Sequence, residues 1–415
     1  MRRVLIVLAG LAVLAGGILA AVVIHRLHQS RDVRGSSTEF TLAGPRERPP
    51  RHIPWPTYGF DATRTRSVQL ALRPPFRRLW TYHSGSLVEF PPSVGYGRLY
   101  FSTNAGRFTA VSEKTGKRAW SYASHRCVAA SPAIGTQQHG TVYGVFLNRP
   151  PCNRSSRRGL DGKVVAFAAG FGKIRWTKTI GPSETSPLLL HNRLYVGDWN
   201  GDVWALDARS GRTVWRFHTR GPVKGSVASS GRRLYVGSYD GHLYCLTLAG
   251  HLVWRASGQA RLYGGAQFYA TPAVAYGRVY VGSTDGKVYS FGATSGRLRW
   301  SHSTGAYVYA SPAVWKGLVF AGSYSHRFYA FDAATGQVRW TFTANGPISG
   351  SPTVIGNVVY FATLARRTYA LAARTGRQLW TYPDGKYTPA VAVKRHLFLI
   401  GLGRIYGMVP KRTSR

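Results

Sequence analysis

Residues 271–300 of this 415-residue chain read TPAVAYGRVYVGSTDGKVYSFGATSGRLRW, and they contain the unit from which the rest of the sequence is built. The apolar residues Val279 and Val281 alternate with other types, which is the period of two expected of a β-strand. The Asp-Gly dipeptide that follows favours a tight hairpin turn, and a Ser-Gly turn precedes a last strand ending in Trp300. The unit therefore predicts four strands joined by three short turns.

The Trp that ends this unit recurs along the chain at nearly constant spacing. Successive intervals are 40, 56, 39, 39, 46, 40 and 40 residues, so two of them carry insertions. A period near 40 is typical of propellers and solenoids. The eight recurring residues are Trp80, Trp120, Trp176, Trp215, Trp254, Trp300, Trp340 and Trp380.

The number of strands at the two ends of the chain predicts how the array is completed. After Trp380 only three further strands are expected, at residues 387–393, 396–401 and 404–409. The missing fourth strand has its counterpart at residues 76–82, which include Trp80. We therefore predict an all-β, eight-bladed β-propeller of four-stranded blades, closed by pairing the strand at about 76–82 with the three C-terminal strands. Each recurring Trp is expected to dock between neighbouring blades rather than to hold a cofactor.

These motifs resemble the PQQ-binding-like (quinoprotein-type) β-propeller repeat family over roughly residues 53–410. The lead-in at residues 55–64, WPTYGFDATR, is similar to the segment that often precedes the first blade in that family. The family includes quinoprotein alcohol dehydrogenases and a non-catalytic branch, the propeller lipoprotein of outer-membrane protein assembly. The resemblance is specific for the fold and implies little about activity.

The residues that a quinoprotein dehydrogenase needs are not evident. That branch stacks its quinone under a ring made by adjacent cysteines and binds calcium with Glu, Asn and Asp, beside an Asp base. Here the three cysteines stand apart, at 127, 152 and 245, and Asp+Glu number only 15 against 55 Lys+Arg. We therefore predict no catalytic, cofactor-binding or metal-binding residues and no enzyme activity, with a PQQ-dependent oxidoreductase as the disfavoured alternative.

Most of the acidic residues have simple roles in turns. Asp residues stand before Gly in hairpin turns or at strand ends before Ser-Gly or Thr-Gly turns, where they stabilise the turn; they are Asp161, Asp240, Asp285, Asp207 and Asp332. Glu89 and Glu184 lie in loops that lead into a blade and could reach the central channel. Two such distant carboxylates are a weak signal of a site.

The N-terminus contains an apolar run of 21 residues, from Val4 to Ile24, after two arginines. About 20 apolar residues span a bilayer, so we expect a retained membrane anchor at residues 1–30, with a cleavable signal peptide as the alternative. We expect the N-terminus in the cytoplasm and the propeller outside it, in the periplasm or on the outer surface of the cell membrane. A Pro/Arg-rich linker (31–56), the propeller (57–410) and a basic tail (411–415) follow.

Two cysteines are candidates for a disulfide. The 56-residue Trp interval contains an insertion at residues 148–158 that includes Cys152, and Cys127 leads into the same blade. In an oxidising compartment we predict a Cys127–Cys152 bridge, two free thiols being the alternative. Cys245 is expected to be a small buried apolar residue.

Loops on one face of a propeller usually bind its partners, and here they combine basic and aromatic residues. The whole chain carries a net charge of +40, of which residues 1–56 contribute only +5. We predict a scaffold in envelope assembly or maintenance that binds envelope proteins, or alternatively a binder of an anionic polymer or glycan, with no specific nucleic acid and no small-molecule substrate. The candidate partner-binding residues are Arg107, Arg126, Trp199, Tyr239, Arg261, Tyr307, Tyr309, Tyr324, His326, Arg327, Arg366 and Arg367.

Overall fold

Eight β-sheets form most of the regular structure in the computed structural model, which describes residues 14–24, 30–42, 52–157, 159–259, 265–387 and 390–411. Two strands precede the blades: β1 (Ser67–Val68) and β2 (Phe76–His83). Blade 1 contains β3 (Ser93–Gly95), β4 (Arg98–Ser102), β5 (Arg107–Ser112) and β6 (Arg118–Ala123). Blade 2 contains β7 (Ala133–Gly135), β8 (Thr141–Phe146), β9 (Gly162–Ala168) and β10 (Ile174–Ile180), with a 3-10 turn at Gln137–His139.

The next four blades repeat the same plan. Blade 3 contains β11 (Leu188–Leu190), β12 (Arg193–Gly197), β13 (Asp202–Asp207) and β14 (Thr213–His218). Blade 4 contains β15 (Ala228–Ser230), β16 (Arg233–Gly237), β17 (His242–Thr247) and β18 (Leu252–Ser257). Blade 5 contains β19 (Ala273–Ala275), β20 (Arg278–Gly282), β21 (Lys287–Gly292) and β22 (Leu298–Ser303). Blade 6 contains β23 (Ala313–Trp315), β24 (Leu318–Gly322), β25 (Arg327–Asp332) and β26 (Val338–Thr343).

The last two blades include the strands that precede blade 1. Blade 7 contains β27 (Thr353–Ile355), β28 (Val358–Thr363), β29 (Arg367–Ala372) and β30 (Gln378–Tyr382), and β1 pairs with β27 in parallel. Blade 8 contains β31 (Ala390–Val393), β32 (His396–Ile400) and β33 (Arg404–Pro410), followed in the sheet by β2. Strand β2 is antiparallel to β33, with Phe76 opposite Pro410 and His83 opposite Arg404. The prediction of an all-β propeller with eight four-stranded blades is confirmed.

Burial along the strands explains the sequence pattern. The inner and middle strands are covered on both faces, so that all three residues of β23 are buried. The outermost strand alternates: in β26 every second residue is exposed. The Trp of each unit lies on such an outer strand, where one face meets the next blade and the other meets solvent. Trp300 is the exception, because it lies beneath the strap and is fully buried.

Residues 55–68, here called the belt, run inside the ring along the innermost strands. Trp55 pairs with Val94 of blade 1, and Thr57 donates to the Pro187 carbonyl at the start of blade 3. Belt carbonyls also accept backbone N–H groups from blades 2, 4, 5, 6 and 7, among them those of Ile134, Ser229, Val274, Val314 and Val354. One short segment therefore bonds to seven blades.

Residues 30–42, here called the strap, lie across blade 5 within the region predicted to be a linker. Val33 and Ser301 exchange two hydrogen bonds of 3.0 Å each. Asp32 contacts Lys287 at 3.2 Å at one end of the blade, and Glu39 contacts Arg299 at 2.8 Å towards the other. Part of the predicted linker is thus attached to the propeller.

The predicted membrane anchor falls partly outside the described residues. Residues 14–24 are helical, and residues 1–13 and 25–29 lie outside the described ranges. Within the part of the chain that the structure describes, no helix is both long and apolar enough to cross a membrane.

Candidate functional site

A ring of hydroxyl groups joins neighbouring blades around the central channel. Each hydroxyl comes from the Ser or Thr that stands two residues before an innermost strand. In blades 3 to 7 it accepts the backbone N–H of the equivalent residue in the preceding blade at 2.8–2.9 Å. In blade 2 the Ser131 hydroxyl instead donates to the Pro91 carbonyl at 2.7 Å. The residues of this hydroxyl ring are Ser131, Ser186, Ser226, Thr271, Ser311 and Ser351.

Two residues before five members of the hydroxyl ring, and two before Pro91 at the equivalent position of blade 1, the chain presents a side chain to one end of the channel. There it lines a small funnel of about 50 Å³, with the buried Tyr58 of the belt below. The residues at this position are chemically diverse, in contrast to the hydroxyl ring. We call the following set the channel mouth: Glu89, Glu184, Lys224, Tyr269, Tyr309 and Ser349.

Lys224 lies against aromatic rings from neighbouring loops. Its ammonium is 3.7 Å from the centre of the Trp199 ring and 4.3 Å from that of Tyr239. The guanidinium of Arg157 lies over the same Trp199 ring at 4.8 Å. These cation–π contacts fix the position of Trp199 at the edge of the funnel.

A group of tyrosines continues this aromatic wall around the mouth. Tyr269 and Tyr309 meet edge to face at 5.0 Å between ring centres, and Tyr309 meets Tyr324 in the same way at 5.2 Å. Tyr307 lies 5.6 Å from Tyr309 and is 52% exposed. Because the rings hold each other in place, they form a rigid aromatic surface at the end of the channel.

The acids of the mouth are shifted towards their neutral forms. Burial raises the pKa of Glu184 to about 7, against the opposing effect of the nearby Lys224 charge. Burial also raises the pKa of Glu89, while a hydrogen bond from Asn104 lowers it. Burial lowers the pKa of Lys224. The mouth therefore contains ionisable groups whose charges are weaker at neutral pH than those of exposed residues.

The predicted disulfide between Cys127 and Cys152 is confirmed, with Cα atoms 5.5 Å apart. It connects the insertion in blade 2 to the loop that leads into that blade. Cys127 packs in a small apolar cluster with Phe90 and Trp199, and the insertion also supplies Arg157. The insertion thus supports one side of the channel mouth. Cys245 is a buried free cysteine.

The recurring tryptophans lie between blades. In seven cases the ring packs on the Gly of the Thr-Gly or equivalent turn in the next blade, so closely that a Cβ there would be 2.5–2.7 Å from the ring. In six cases the indole N–H donates to a carbonyl of that blade, as Trp340 does to Ala373 at 3.1 Å. Trp80 of blade 8 packs on Gly116 of blade 1, and Trp380 lies 5.5 Å from Phe76.

The structure brings together only some of the candidate partner-binding residues. Trp199, Tyr239, Tyr307, Tyr309 and Tyr324 border the channel mouth. Exposed residues at the start of a third strand, or in the turn before it, lie farther out at the same end of the ring: Arg107, His326, Arg327, Arg366 and Arg367.

Two candidates do not belong to this surface as described. Arg126 is 6% exposed and forms an ion pair with Asp161 at 2.7 Å, so it holds the loops of blade 2 together. The prediction that it is available to a partner has no support in that geometry, because its guanidinium is already bonded. Arg261 lies outside the described residues.

The sequence places Glu184 within reach of the channel and Lys224 and Tyr269 in loops of the binding face, but none of the three was selected as a candidate site residue. All three stand two positions before a Ser or Thr of the hydroxyl ring. Alignment of the repeats at that Ser or Thr, rather than at Trp, is the signal that could have identified them.

A quinone of the dehydrogenase type does not fit these residues. The paired cysteines are 25 positions apart and belong to two loops, so they cannot form the ring of adjacent cysteines. Asp207 and Asp332 accept the N–H groups of their own turns, as the turn pattern predicts. Over the described ranges, no three His, Cys, Asp or Glu side chains are grouped as a metal site.

Comparison with known proteins gives the family. A family profile described as "Outer membrane protein assembly factor BamB" matches residues 77–190, 153–224, 199–311 and 284–406. BamB of Burkholderia pseudomallei is 28% identical over 130 residues, which cover 31% of this chain and 32% of that protein. The chain therefore spans about a third of the length of this curated relative.

Solved structures show the same fold. BamB from Moraxella catarrhalis superposes with a TM-score of 0.63 at 19% identity, covering 81% of this chain and all of that one. Quinohemoprotein alcohol dehydrogenase from Comamonas testosteroni superposes with a TM-score of 0.70 at 16% identity, covering 87% of this chain and 81% of that one. The resemblance to PQQ-like propellers of the BamB branch is confirmed, and both branches of the family share this fold.

Proposed function

The chain belongs to the family described as outer membrane protein assembly factor BamB, and on that premise we propose that it is a non-enzymatic propeller that binds an envelope protein at its channel mouth. The observation that carries this proposal is the rigid aromatic wall of Trp199, Tyr239, Tyr269, Tyr309 and Tyr324 around the mouth. Tyr and Trp are enriched among the residues that contribute most to protein interfaces, because they bury large areas at low entropic cost.

The charge around the mouth supports an acidic partner segment. Exposed arginines at the same end, including Arg327, Arg366 and Arg367, add positive charge outside the aromatic wall. An extended acidic segment could place apolar or aromatic side chains on the tyrosines and its carboxylates on this rim. We propose this geometry for the complex.

Photo-crosslinking in intact cells tests the proposal. A photoreactive amino acid replaces Tyr307, which is half exposed, and a matched control replaces Arg209, which is exposed at the opposite end of the ring. We expect the Tyr307 position, and not the control, to capture a defined envelope protein, and Tyr309→Ala with Tyr324→Ala to abolish the capture. Equal capture from both positions, or capture unchanged by the two alanines, would contradict the proposal.

We further propose that the N-terminal apolar segment anchors the propeller on the extracytoplasmic side, with its N-terminus in the cytoplasm. The disulfide supports an oxidising compartment. The strap begins beside Lys287, at the end of blade 5 that faces the same way as the channel mouth. An anchor before it would therefore hold the mouth towards the membrane. Accessibility of a cysteine placed at Arg209 to a membrane-impermeant thiol reagent in intact or outer-membrane-permeabilised cells checks this topology.

An anionic envelope polymer or glycan is the second candidate ligand, favoured by the net charge of +40. Binding to such a polymer would fall steeply with salt and would weaken in Arg327, Arg366 and Arg367 variants. Binding that depends on Tyr309 and Tyr324 and only weakly on salt would favour the protein partner.

A further inference from the structure

Four donor nitrogens on two belt residues that line the same void have no acceptor within the described ranges. They are the indole N–H of Trp55 and the Nε, Nη1 and Nη2 groups of Arg66, and no acceptor for them is found in the described residues. Trp55 and Arg66 are each 2% exposed. Both line one small void, here called the Arg66 pocket, together with Tyr58, Gly59, Ser351 and Thr353.

The backbone holds the Arg66 side chain in this pocket. The Arg66 carbonyl accepts the Val354 N–H at 2.8 Å, and its own N–H donates to the Gly59 carbonyl at 3.1 Å. Gly59 has a φ of +80°, and a Cβ at this position would be 2.6 Å from Arg66 Nη1. The guanidinium therefore fits against a glycine and cannot turn towards solvent without breaking the belt.

A second buried guanidinium lies close by but is fully bonded. Arg64 is completely buried and donates to the Val227 carbonyl at 3.0 Å and to the Thr57 hydroxyl at 2.7 Å. Burial, and then the charge of Arg66, lower the pKa of Arg64 to about 9, while Asp61 opposes this effect. Burial also lowers the pKa of Arg66. The belt thus carries two buried positive charges against the one nearby acid.

The contacts of Arg66 leave its N–H edges available. Its guanidinium carbon lies over the Tyr58 ring, 4.0 Å from the ring centre. An unpaired buried charge costs several kcal/mol, so such groups are normally matched by an opposite charge. A single water molecule would accept two of these N–H groups but would leave the charge unbalanced.

We propose that the Arg66 pocket binds one small monovalent anion of the halide class, chloride under ordinary conditions. Arg66 supplies the charge and up to three donors, and Trp55 supplies a fourth. The void has the size of a single water molecule or monatomic ion, which excludes phosphate and larger carboxylates. The bound ion would balance the positive charge of Arg66 at the point where the belt meets blade 7.

Anomalous diffraction tests the site directly. Crystals of the wild-type protein are soaked in sodium bromide, and data are collected above the bromine absorption edge. We expect an anomalous peak within contact distance of Arg66 Nη1 and Trp55 Nε1. No bromine peak in the pocket, with Arg66 placed as described, would overturn the proposal, as would an equal peak in Arg66→Met crystals.

Thermal unfolding gives an independent readout in solution. At constant ionic strength, replacing methanesulfonate by chloride should raise the melting temperature of the full chain in a saturable way. Trp55→Phe keeps the ring but removes one donor, so we expect the apparent affinity for chloride to fall roughly tenfold. An anion-independent melting temperature in the wild type, or unchanged affinity in Trp55→Phe, would count against the site. Neither result bears on partner binding at the channel mouth.

Discussion

Two positions of the repeat, only two residues apart, differ in whether the fold requires a particular side chain there. At the position of Ser311 the chain needs a hydroxyl, because its oxygen accepts the N–H of Thr271 from the preceding blade at 2.9 Å. At the position of Tyr309 the side chain faces the channel and makes no bond that the ring requires. The same position is therefore Glu in blade 3 and Lys in blade 4. One residue builds the ring, while the other is free to vary and, in the function proposed above, sets what the channel mouth binds.

Removal of a single hydroxyl tests the first role. In Ser311→Ala the buried N–H of Thr271 loses its acceptor, and we expect the free energy of unfolding to fall by about 1–2 kcal/mol. Ser155→Ala, at an exposed position in the blade 2 insertion, is the matched control and should change stability by less than about 0.5 kcal/mol. Urea denaturation measures both, and equal effects of the two substitutions would show that the hydroxyl ring contributes nothing.

The raised pKa of Glu184, about 7 because of burial, makes stability depend on pH. Between about pH 4.5 and 7 the native state holds a proton that the unfolded state has released, so the free energy of unfolding falls as pH rises. Glu184→Gln should remove this decline in the free energy of unfolding. The decline is at most about 1.4 kcal/mol for each pKa unit by which the native and unfolded states differ. Unfolding measured at about pH 5 and about pH 8 checks it, with Glu113→Gln as control. A parallel pH dependence in the wild type and Glu184→Gln would refute the assignment.

At the level of the blade, Trp and Gly form a single interface unit. The Trp ring on an outer strand covers the Gly in the third turn of the following blade, and its N–H bonds to a carbonyl just before that turn. The glycine is needed twice, for a positive φ and for the space that the ring occupies. This is why both residues recur with the same period, and why the Trp spacing, together with the strand and turn pattern of each unit, predicted the blades.

Two glycines with similar φ values allow the need for a positive φ and the need for space to be measured separately. Gly376 has a φ of +72° and a Cβ there would be 2.7 Å from Trp340, whereas Gly97 has a φ of +68° and open space around it. We expect Gly97→Ala to cost about 1 kcal/mol for the backbone alone. Gly376→Ala should cost about 1–3 kcal/mol more, because the blades must move apart. Similar melting temperatures for the two variants would contradict the packing argument.

The elements that lack a periodic pattern could not be predicted in the same way. The belt was recognised only as a lead-in that resembles the family, because it bonds through backbone carbonyls that any sequence possesses. Most of the strap's polar contacts are likewise with distant residues, such as Val33 with Ser301. At the channel mouth, loop position identified Trp199 and Tyr309, but whether a loop arginine is free or paired, as Arg126 is with Asp161, depends on a neighbour that sequence spacing does not indicate.

For the whole molecule, the sheet of blade 8 contains strands from both ends of the propeller. We propose that the pairing of β2 with β33 closes the ring. Deletion of residues 76–83 would expose the edge of β33 and remove Trp80 from Gly116 of blade 1. We expect the deletion variant to unfold or to form oligomers through that edge, as measured by light scattering and thermal melting. A monomeric variant with unchanged melting would refute closure by this strand.

The belt offers a second link between the blades, and its contribution can be separated from that of β2. Innermost strands of six blades donate N–H groups to belt carbonyls at 2.7–2.9 Å, and five of these amides serve as probes: those of Ile134, Ser229, Val274, Val314 and Val354. Each such bond contributes about 1 kcal/mol net, so the belt should add several kcal/mol to the ring. In a variant that lacks residues 1–68 we expect fast hydrogen exchange at these five amides and a lower melting temperature. A variant that lacks only residues 1–42 loses the strap and keeps the belt, so it should retain slow exchange at the same amides. If both truncations exchange alike, the inner strands are held by their own blades, and the belt follows the channel without stabilising it.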